Sequence, residues 1–162
     1  MRKSLLTITA IVSLLLLAST RAQAVEPVIR DMEKAAHDFI DSLSKELAAR
    51  TVLPMETEGE RTNWHFVPIT GERKGVDLKD LDKAQEKRLT ALLRTGLSAS
   101  GYNKVENIKA LENVLFHLEN SDHRDSELYY ISIFGKPSSE DAWGCLLYTS
   151  DAADEEDSVD LG

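Results

Sequence analysis

The stretch that decides the fold is ELYYISIFGKP, residues 127–137. Residues 128–134 are aromatic, β-branched or apolar almost without interruption, which is typical of a β-strand. Gly135 and Pro137 follow at once and end the pattern. Neighbouring side chains of a strand point to opposite faces, so one of Tyr129 and Tyr130 belongs to the core and the other to the surface.

A second strand is predicted upstream, at residues 64–69, where WHFVPI is short, aromatic and β-branched. Pro68 has no backbone N–H to donate, which favours an edge position or a strand end. Two strands do not form a stable sheet by themselves, because three or more strands or a helical cover are usually required. The predicted sheet is therefore small and incomplete.

Three amphipathic helices are predicted around these strands. The first covers residues 28–49, and the second begins near Asp82, spaced from Gln85 as in a capping box, and ends near Gly96. The third is predicted to be capped by Ser100. Its apolar stripe is Tyr102, Val105, Ile108, Leu111, Leu115 and Leu118. The order helix, strand, two helices, strand predicts an α+β fold.

The N-terminal residues 1–24 have the three parts of a secretory signal peptide. Arg2 and Lys3 are followed by a nearly unbroken apolar run over 5–18 and an A-x-A site at 22–24. The alternative is an uncleaved membrane anchor, but the apolar run is shorter than the roughly 20 residues that a spanning helix needs. We expect cleavage by signal peptidase before Val25, no stable membrane anchor afterwards, and a periplasmic or extracellular location.

The C-terminal residues 145–162 differ abruptly from the rest of the chain. They contain no Lys, Arg or His, and they show no helical or strand period. Their order, CLLYTS, DAADE and VDLG, is similar to one reading frame through a sequencing-library adapter. We therefore expect the native reading frame to end after Gly144, leaving 25–144 as the N-terminal part of one domain and 145–162 as a foreign, structureless tail.

The charge balance argues against a nucleic-acid partner. The whole chain has a formal charge of −9, with six acids in the tail and three bases in the leader, so residues 25–144 keep a net charge of −6. Nucleic-acid binding needs a basic face. The single Cys, Cys145, lies in the tail and supports neither a disulfide nor a catalytic thiol there.

Candidate site residues are few. His65 lies between Trp64 and Phe66 on the predicted strand and is a candidate pocket residue, although a partly buried His bonded to a carbonyl is the favoured interpretation. Arg73 begins an Arg-Lys-Gly segment that is a candidate for holding a phosphate, but no Gly-rich P-loop follows.

Candidate metal and cofactor sites are also few. Glu33, His37 and Asp41 share one side of the first predicted helix, where a solvated face is the simpler explanation than a metal site. We therefore predict no metal ligands in this chain. No nucleophile elbow, H-E-x-x-H or C-x-x-C motif occurs, so the sequence leaves the cofactor and the catalytic residues unknown.

Several segments resemble one known family, domain of unknown function 3500. They are NWHFVP (63–68), RKGVDLKDL (73–81), LLRTGLSASGY (92–102), IKALE (108–112), ELYYISIFGKP (127–137) and WG (143–144). The resemblance implies an exported bacterial protein with no assigned activity. It also implies a longer chain, because family members continue after the position of Gly144 into a histidine-rich portion that is not found here.

Two hypotheses about function follow. The first is that this chain is the structural, N-terminal part of an exported protein whose ligand or metal site lies further along. The alternative is part of a metal-dependent, hydrolase-like enzyme, with Trp64, His65 and Arg73 lining a cleft. The first is favoured, because no set of residues here combines a nucleophile, a base and an oxyanion donor.

Overall fold

A computed structural model describes residues 27–57, 59–62, 73–120 and 124–149. Within these ranges the chain forms four α-helices and a mixed sheet of four strands, which confirms the α+β prediction. None of the helices in the described ranges is long and apolar enough to cross a membrane.

The sheet is built around the strand that the sequence predicts near 128–134. This strand, β3, covers Tyr129–Phe134 and pairs with each of the other three strands in the described residues. The others are β1 (Val52–Leu53), β2 (Val76–Asp77) and β4 (Gly144–Thr149). β4 runs antiparallel along the whole length of β3, from Phe134 opposite Gly144 to Tyr129 opposite Thr149.

β1 and β2 share the opposite edge of β3, because β4 occupies the first edge completely. β2 is antiparallel and pairs Val76 with Ile131, whereas β1 is parallel and pairs Val52 with Ile133. The N–H of Gly135 donates to the carbonyl of Leu53 at 2.9 Å, which continues the β1–β3 ladder, and Gly75 donates to the carbonyl of Arg50 at 3.1 Å, which joins the segments that lead into β2 and β1. β3 is therefore covered on both edges.

The predicted strand at 64–69 lies outside the described residues. β1 and β2 were not predicted, and both are only two residues long. A strand of this length has no alternating pattern to detect, and its position is set by pairing with β3 rather than by its own sequence.

The first helix is shorter than predicted. α1 covers residues 27–40, and a second helix, α2 (Lys45–Thr51), follows after a break, so the single helix predicted over 28–49 is wrong. Two serines explain the break, because their hydroxyls bond the backbone locally. The Ser42 hydroxyl donates to the carbonyl of Phe39 at 2.6 Å, and Ser44 caps α2 by accepting from the N–H of Leu47.

The capping box of the next helix is confirmed. α3 covers Lys83–Gly96 with Asp82 as N-cap, and the Gln85 side chain accepts from the Asp82 N–H at 2.9 Å. α4 covers Ala99–Glu119, and its N-cap is Ser98 rather than the predicted Ser100. The Ser98 hydroxyl accepts from the N–H of Gly101 at 3.0 Å, so the first turn of α4 begins two residues earlier than expected.

The hydrophobic core lies between β2, β3 and the helices α1 and α3. Its buried members are Ala36, Phe39, Val76, Leu81, Leu89, Leu92, Ile131 and Ile133. Tyr129 is buried and Tyr130 is only partly buried, in agreement with the alternation that the sequence predicts. Burial of these apolar side chains is the main favourable contribution to the fold.

The prediction of a structureless segment from residue 145 onward is wrong for 145–149. These residues form β4, where Cys145 pairs with Ile133 and Leu147 pairs with Ile131. Both side chains pack against the core. The remaining tail, 150–162, lies outside the described residues, so its predicted disorder and its foreign origin stay predictions.

The apolar stripe predicted for α4 is only partly buried. Tyr102 is in the core, but Ile108, Leu111 and Leu118 are 47%, 55% and 76% exposed. The buried side of the helix carries Glu112 instead. Arg124 lies beside it, with Nη1 at 3.8 Å from Glu112 Oε2 and Nε donating to Glu119 at 2.8 Å, so Arg124 is held against the helix.

Candidate functional site

A row of polar and aromatic side chains crosses the sheet on the face opposite the helical core. The register pairs Asp77 with Tyr130 and Tyr130 with Tyr148, and directly paired residues share a face. Ile131 and Ile133, which alternate with Tyr130 along β3, are in the helix-side core. Asp77, Tyr130 and Tyr148 therefore stand side by side on the other face.

Arg73 lies over both tyrosine rings. Its guanidinium carbon is 5.6 Å from the ring centroid of Tyr130 and 5.6 Å from that of Tyr148. The two rings are stacked, with centroids 5.7 Å apart and an interplanar angle of 24°. A guanidinium within about 6 Å of an aromatic face is attracted by the ring quadrupole, so the tyrosines help to hold Arg73 in position.

The Tyr148 hydroxyl anchors the neighbouring segment. It donates to the carbonyl oxygen of Lys74 at 3.1 Å. Burial raises the pKa of Tyr148, and the nearby Arg73 guanidinium opposes this only in part. The phenol is therefore protonated at neutral pH and remains able to donate this hydrogen bond.

Arg73, Asp77 and Tyr130 border a cleft of about 540 Å³. Its lining consists of Ala49, Arg50, Leu53, Arg73, Lys74, Asp77 and Tyr130. The end of α2 supplies one wall and the segment leading into β2 supplies the other. The backbone bond from Gly75 to the Arg50 carbonyl ties these two walls together.

The charges around the cleft are unequal. Three basic side chains and one acidic side chain line it. Arg50 Nη1 donates to Asp80 Oδ2 at 2.7 Å, just outside the lining, and Asp77 Oδ1 accepts from the backbone N–H of Asp80 at 3.0 Å. The Asp77 carboxylate also caps the short 3₁₀ turn Leu78–Asp80. With Asp80 counted, three basic side chains face two acidic ones, so an excess of one positive charge remains at the cleft.

Of the three site residues that the sequence predicts, the structure describes only Arg73, which lines this cleft. Trp64 and His65 lie outside the described residues. Arg50 and Tyr130 belong to the cleft but were not proposed from the sequence. No motif or residue spacing in the sequence singles out Arg50. Tyr130 was already expected on one face of the strand predicted at 128–134.

The histidine of α1 has a structural partner. His37 Nε2 lies 3.1 Å from the carbonyl oxygen of Pro137, so this nitrogen donates and connects α1 to the segment after β3. Within the described ranges, no group of three or more His, Cys, Asp or Glu residues is arranged to hold a metal ion.

The described residues also enclose an apolar cavity among the helices. It has a volume of about 370 Å³, lies between α1, α3, α4 and β4, and has a largely apolar lining that includes Met32, Leu97 and Cys145. It contains no charged side chain that could orient a polar ligand. The cationic cleft beside Tyr130 is therefore the stronger candidate of the two for a ligand site.

The chain matches one family model, described as protein of unknown function (DUF3500), over residues 26–149. This match covers most of the chain, so the protein belongs to the DUF3500 family. The match includes all six residues of β4. No curated protein and no solved structure matches the chain.

Proposed function

We propose that this chain is part of an exported ligand-binding protein, and that the cationic cleft takes a small anion with a flat apolar body. The observation that carries the proposal is the convergence of Arg50, Arg73 and Lys74 on one cleft beside the Tyr130 ring. The sheet and helices form the scaffold that holds these side chains together.

The chemistry of the lining defines the ligand class. Guanidinium groups bind carboxylate and phosphate oxygens through paired N–H donors, which gives both attraction and orientation. The Tyr130 ring adds an apolar surface on which a planar group can stack. A carboxylate or phosphate attached to such a group uses both features.

The earlier hypothesis that this portion is only structural is modified by this cleft. A further ligand or metal site in a downstream part of the protein stays part of the proposal, and nothing in the described residues bears on it. The hydrolase alternative stays a prediction: Arg73 lines the cleft, and Trp64 and His65 lie outside the described residues.

The first test uses three probe molecules that separate charge from shape. We expect benzoate to bind more tightly than inorganic phosphate, which lacks the ring, and than benzamide, which lacks the charge. Calorimetry or ligand-detected NMR on the full chain gives the affinities. The Arg73→Gln variant is expected to weaken benzoate binding about tenfold or more, because a charge-assisted hydrogen bond contributes about 1.5–3 kcal/mol.

Arg88→Gln is the matched control. Arg88 lies on α3 and lines a different cavity, with Asp38 and Asp41, so its loss removes the same charge from the chain without touching the cleft. We expect benzoate affinity in this variant to stay within about twofold of the parent. Equal loss of affinity in both variants, or no binding of any probe by the parent, contradicts the proposed cleft.

Export is the second part of the proposal. Residues 1–24 carry the charge, apolar run and A-x-A site of a signal peptide, and signal peptidase is the partner that this pattern implies. We expect N-terminal sequencing of material from the exported fraction to begin at Val25. A mature N-terminus that retains residues 5–18 excludes cleavage at this site.

A further inference from the structure

Tyr148 contacts two residues of the cationic cleft without belonging to its lining. The lining includes Arg73, Lys74 and Tyr130. Tyr148 stands on the neighbouring strand β4, directly opposite Tyr130. Arg73 lies over the Tyr148 ring, and the carbonyl of Lys74 accepts a hydrogen bond from the Tyr148 hydroxyl. Any effect of Tyr148 on a ligand in the cleft therefore passes through Arg73 and Lys74.

The phenol of Tyr148 takes part in two hydrogen bonds. Its O–H donates to the backbone carbonyl of Lys74 at 3.1 Å. Its oxygen accepts from the Arg73 side chain, and this bond is one of the contacts that oppose the rise of the Tyr148 pKa through burial. A hydroxyl can donate one hydrogen bond and accept another at the same time. The phenol thus connects the Arg73 guanidinium to the backbone of the next residue.

These contacts restrict the direction in which the guanidinium points. A guanidinium carries five N–H donors in one rigid plane, so a bond through one donor also limits how the others can turn. The two aromatic rings restrict it further, because Arg73 lies 5.6 Å from the centroid of each. A long side chain loses conformational entropy when it binds an anion, and it loses less when it is already held in place.

We propose that Tyr148 is a positioning residue of the cationic cleft, and that its phenol holds Arg73 and the Lys74 backbone in the arrangement that receives the anionic group of the ligand. This role rests on the proposed function, because it needs an anion in the cleft. It assigns the recognition of charge in part to a residue that the ligand does not contact. The ring of Tyr130, which lines the cleft, receives the flat body of the ligand.

The alternative is a purely structural role, in which Tyr148 only fixes β4 to the sheet. Both roles predict weaker ligand binding when Tyr148 is replaced, so the affinity for one ligand does not separate them. The selectivity for charge separates them, because a positioning residue affects a charged probe more than a neutral probe of the same shape. Loosening of β4 lowers both affinities together. Benzoate and benzamide form such a pair, since both carry the ring and only benzoate carries the charge.

The experiment measures the affinities for benzoate and benzamide by ligand-detected NMR on the full chain. Tyr148→Phe keeps the ring and removes the hydroxyl. We expect this variant to bind benzoate about fivefold more weakly, in the range of one net hydrogen bond, and to bind benzamide within about twofold of the parent. Tyr148→Leu also removes the ring, so its benzoate affinity should fall about twentyfold through the added loss of a cation–π contact.

Tyr102→Phe is the matched control. Tyr102 is buried on α4 and does not line the cleft, so the same hydroxyl is removed at a separate site. We expect both affinities of this variant to stay within about twofold of the parent. Labelling of Cys145 with iodoacetamide shows whether β4 stays in place, since this residue packs against the core. We expect Tyr148→Phe to leave the labelling rate unchanged.

The outcomes separate the positioning role from the proposed function. If Arg73→Gln loses benzoate binding and Tyr148→Phe retains it in full, the cleft stands and the role of Tyr148 is wrong. Equal losses of benzoate and benzamide affinity in Tyr148→Phe, or Cys145 labelling at the rate of the unfolded chain, indicate a structural role and also overturn the proposal. A parent chain that binds no benzoate overturns both the role and the proposed function.

Discussion

Alkylation of Cys145 in the folded chain is expected to be about a thousandfold slower than alkylation of an ordinary thiol. Burial raises the pKa of the Cys145 thiol from 9.0 to about 12. The thiolate is the reactive species, and three pKa units lower its population about a thousandfold at pH 8. The cause is the position of Cys145 in β4, paired with Ile133 and packed against the core.

Iodoacetamide labelling followed by mass spectrometry measures the rate. The comparison is an Ala91→Cys variant that also carries Cys145→Ser, because Ala91 is exposed on α3 and its replacement gives a solvent-accessible thiol. In guanidinium chloride the two thiols should react at the same rate. If Cys145 reacts like Cys at position 91 in the native chain, β4 is not docked, and the expectation of a structureless segment after Gly144 regains its support.

A single methyl group at Gly75 is expected to cost about 4 kcal/mol of folding free energy. Gly75 has φ +92°, and a Cβ built there lies 2.6 Å from the carbonyl oxygen of Ile131 and 2.6 Å from the Ser132 hydroxyl. The Ile131 carbonyl belongs to β3 and cannot move away without disturbing the sheet. Gly75→Ala therefore combines a strained backbone with a clash between β2 and β3.

Gly59→Ala separates the cost of the strained backbone from the cost of the clash. Gly59 has φ +87°, but a Cβ there meets no atom within 4 Å, so only the backbone strain remains. We expect a loss of about 1 kcal/mol for Gly59→Ala. Denaturant unfolding of both variants and the parent provides the comparison. Similar losses in the two variants indicate that β2 does not pack against β3 as described.

The parts of the fold that the sequence predicted are those encoded locally. The strand near 128–134 is a continuous apolar run, and the capping box joins Asp82 to Gln85 only three residues away. The break between α1 and α2 was missed, because apolar residues keep helical spacing across it and only the local bonds of Ser42 and Ser44 interrupt the helix.

Elements held in place by distant partners could not be predicted in this way. β1 and β2 are too short to show the alternating pattern of a strand. Their pairing with β3 joins residues that are more than fifty positions apart in the chain. The residues of β4 from Cys145 onward were assigned to a foreign tail because CLLYTS is similar to one reading frame through a sequencing-library adapter. The apolar residues of β4 can be recognised as part of the core only when the sheet register is known, which places Leu147 opposite Ile131.

The candidate site also combines residues that a local sequence feature identifies with residues that only the tertiary structure brings in. Arg73 was singled out because it opens an Arg-Lys-Gly segment, a local feature. Arg50 and Tyr130 come from the end of α2 and the middle of β3, and they reach the cleft only through the sheet register and the bond from Gly75 to Arg50. The shape of a cleft built from three remote segments is a property of the tertiary structure.

The central place of β3 has a consequence for when the chain can fold during its synthesis. In the described residues β1 and β2 pair with β3 and not with each other, so a nascent chain that has not yet reached residue 129 can form none of these strand pairs. Its helices then lack the surface against which Phe39 and Leu92 pack. Non-local strand pairing is slow compared with helix formation, so the chain stays without its sheet for some time after synthesis. A chain that stays loosely structured until its last quarter emerges suits the export that we propose above, because a translocation channel takes chains that have not yet folded.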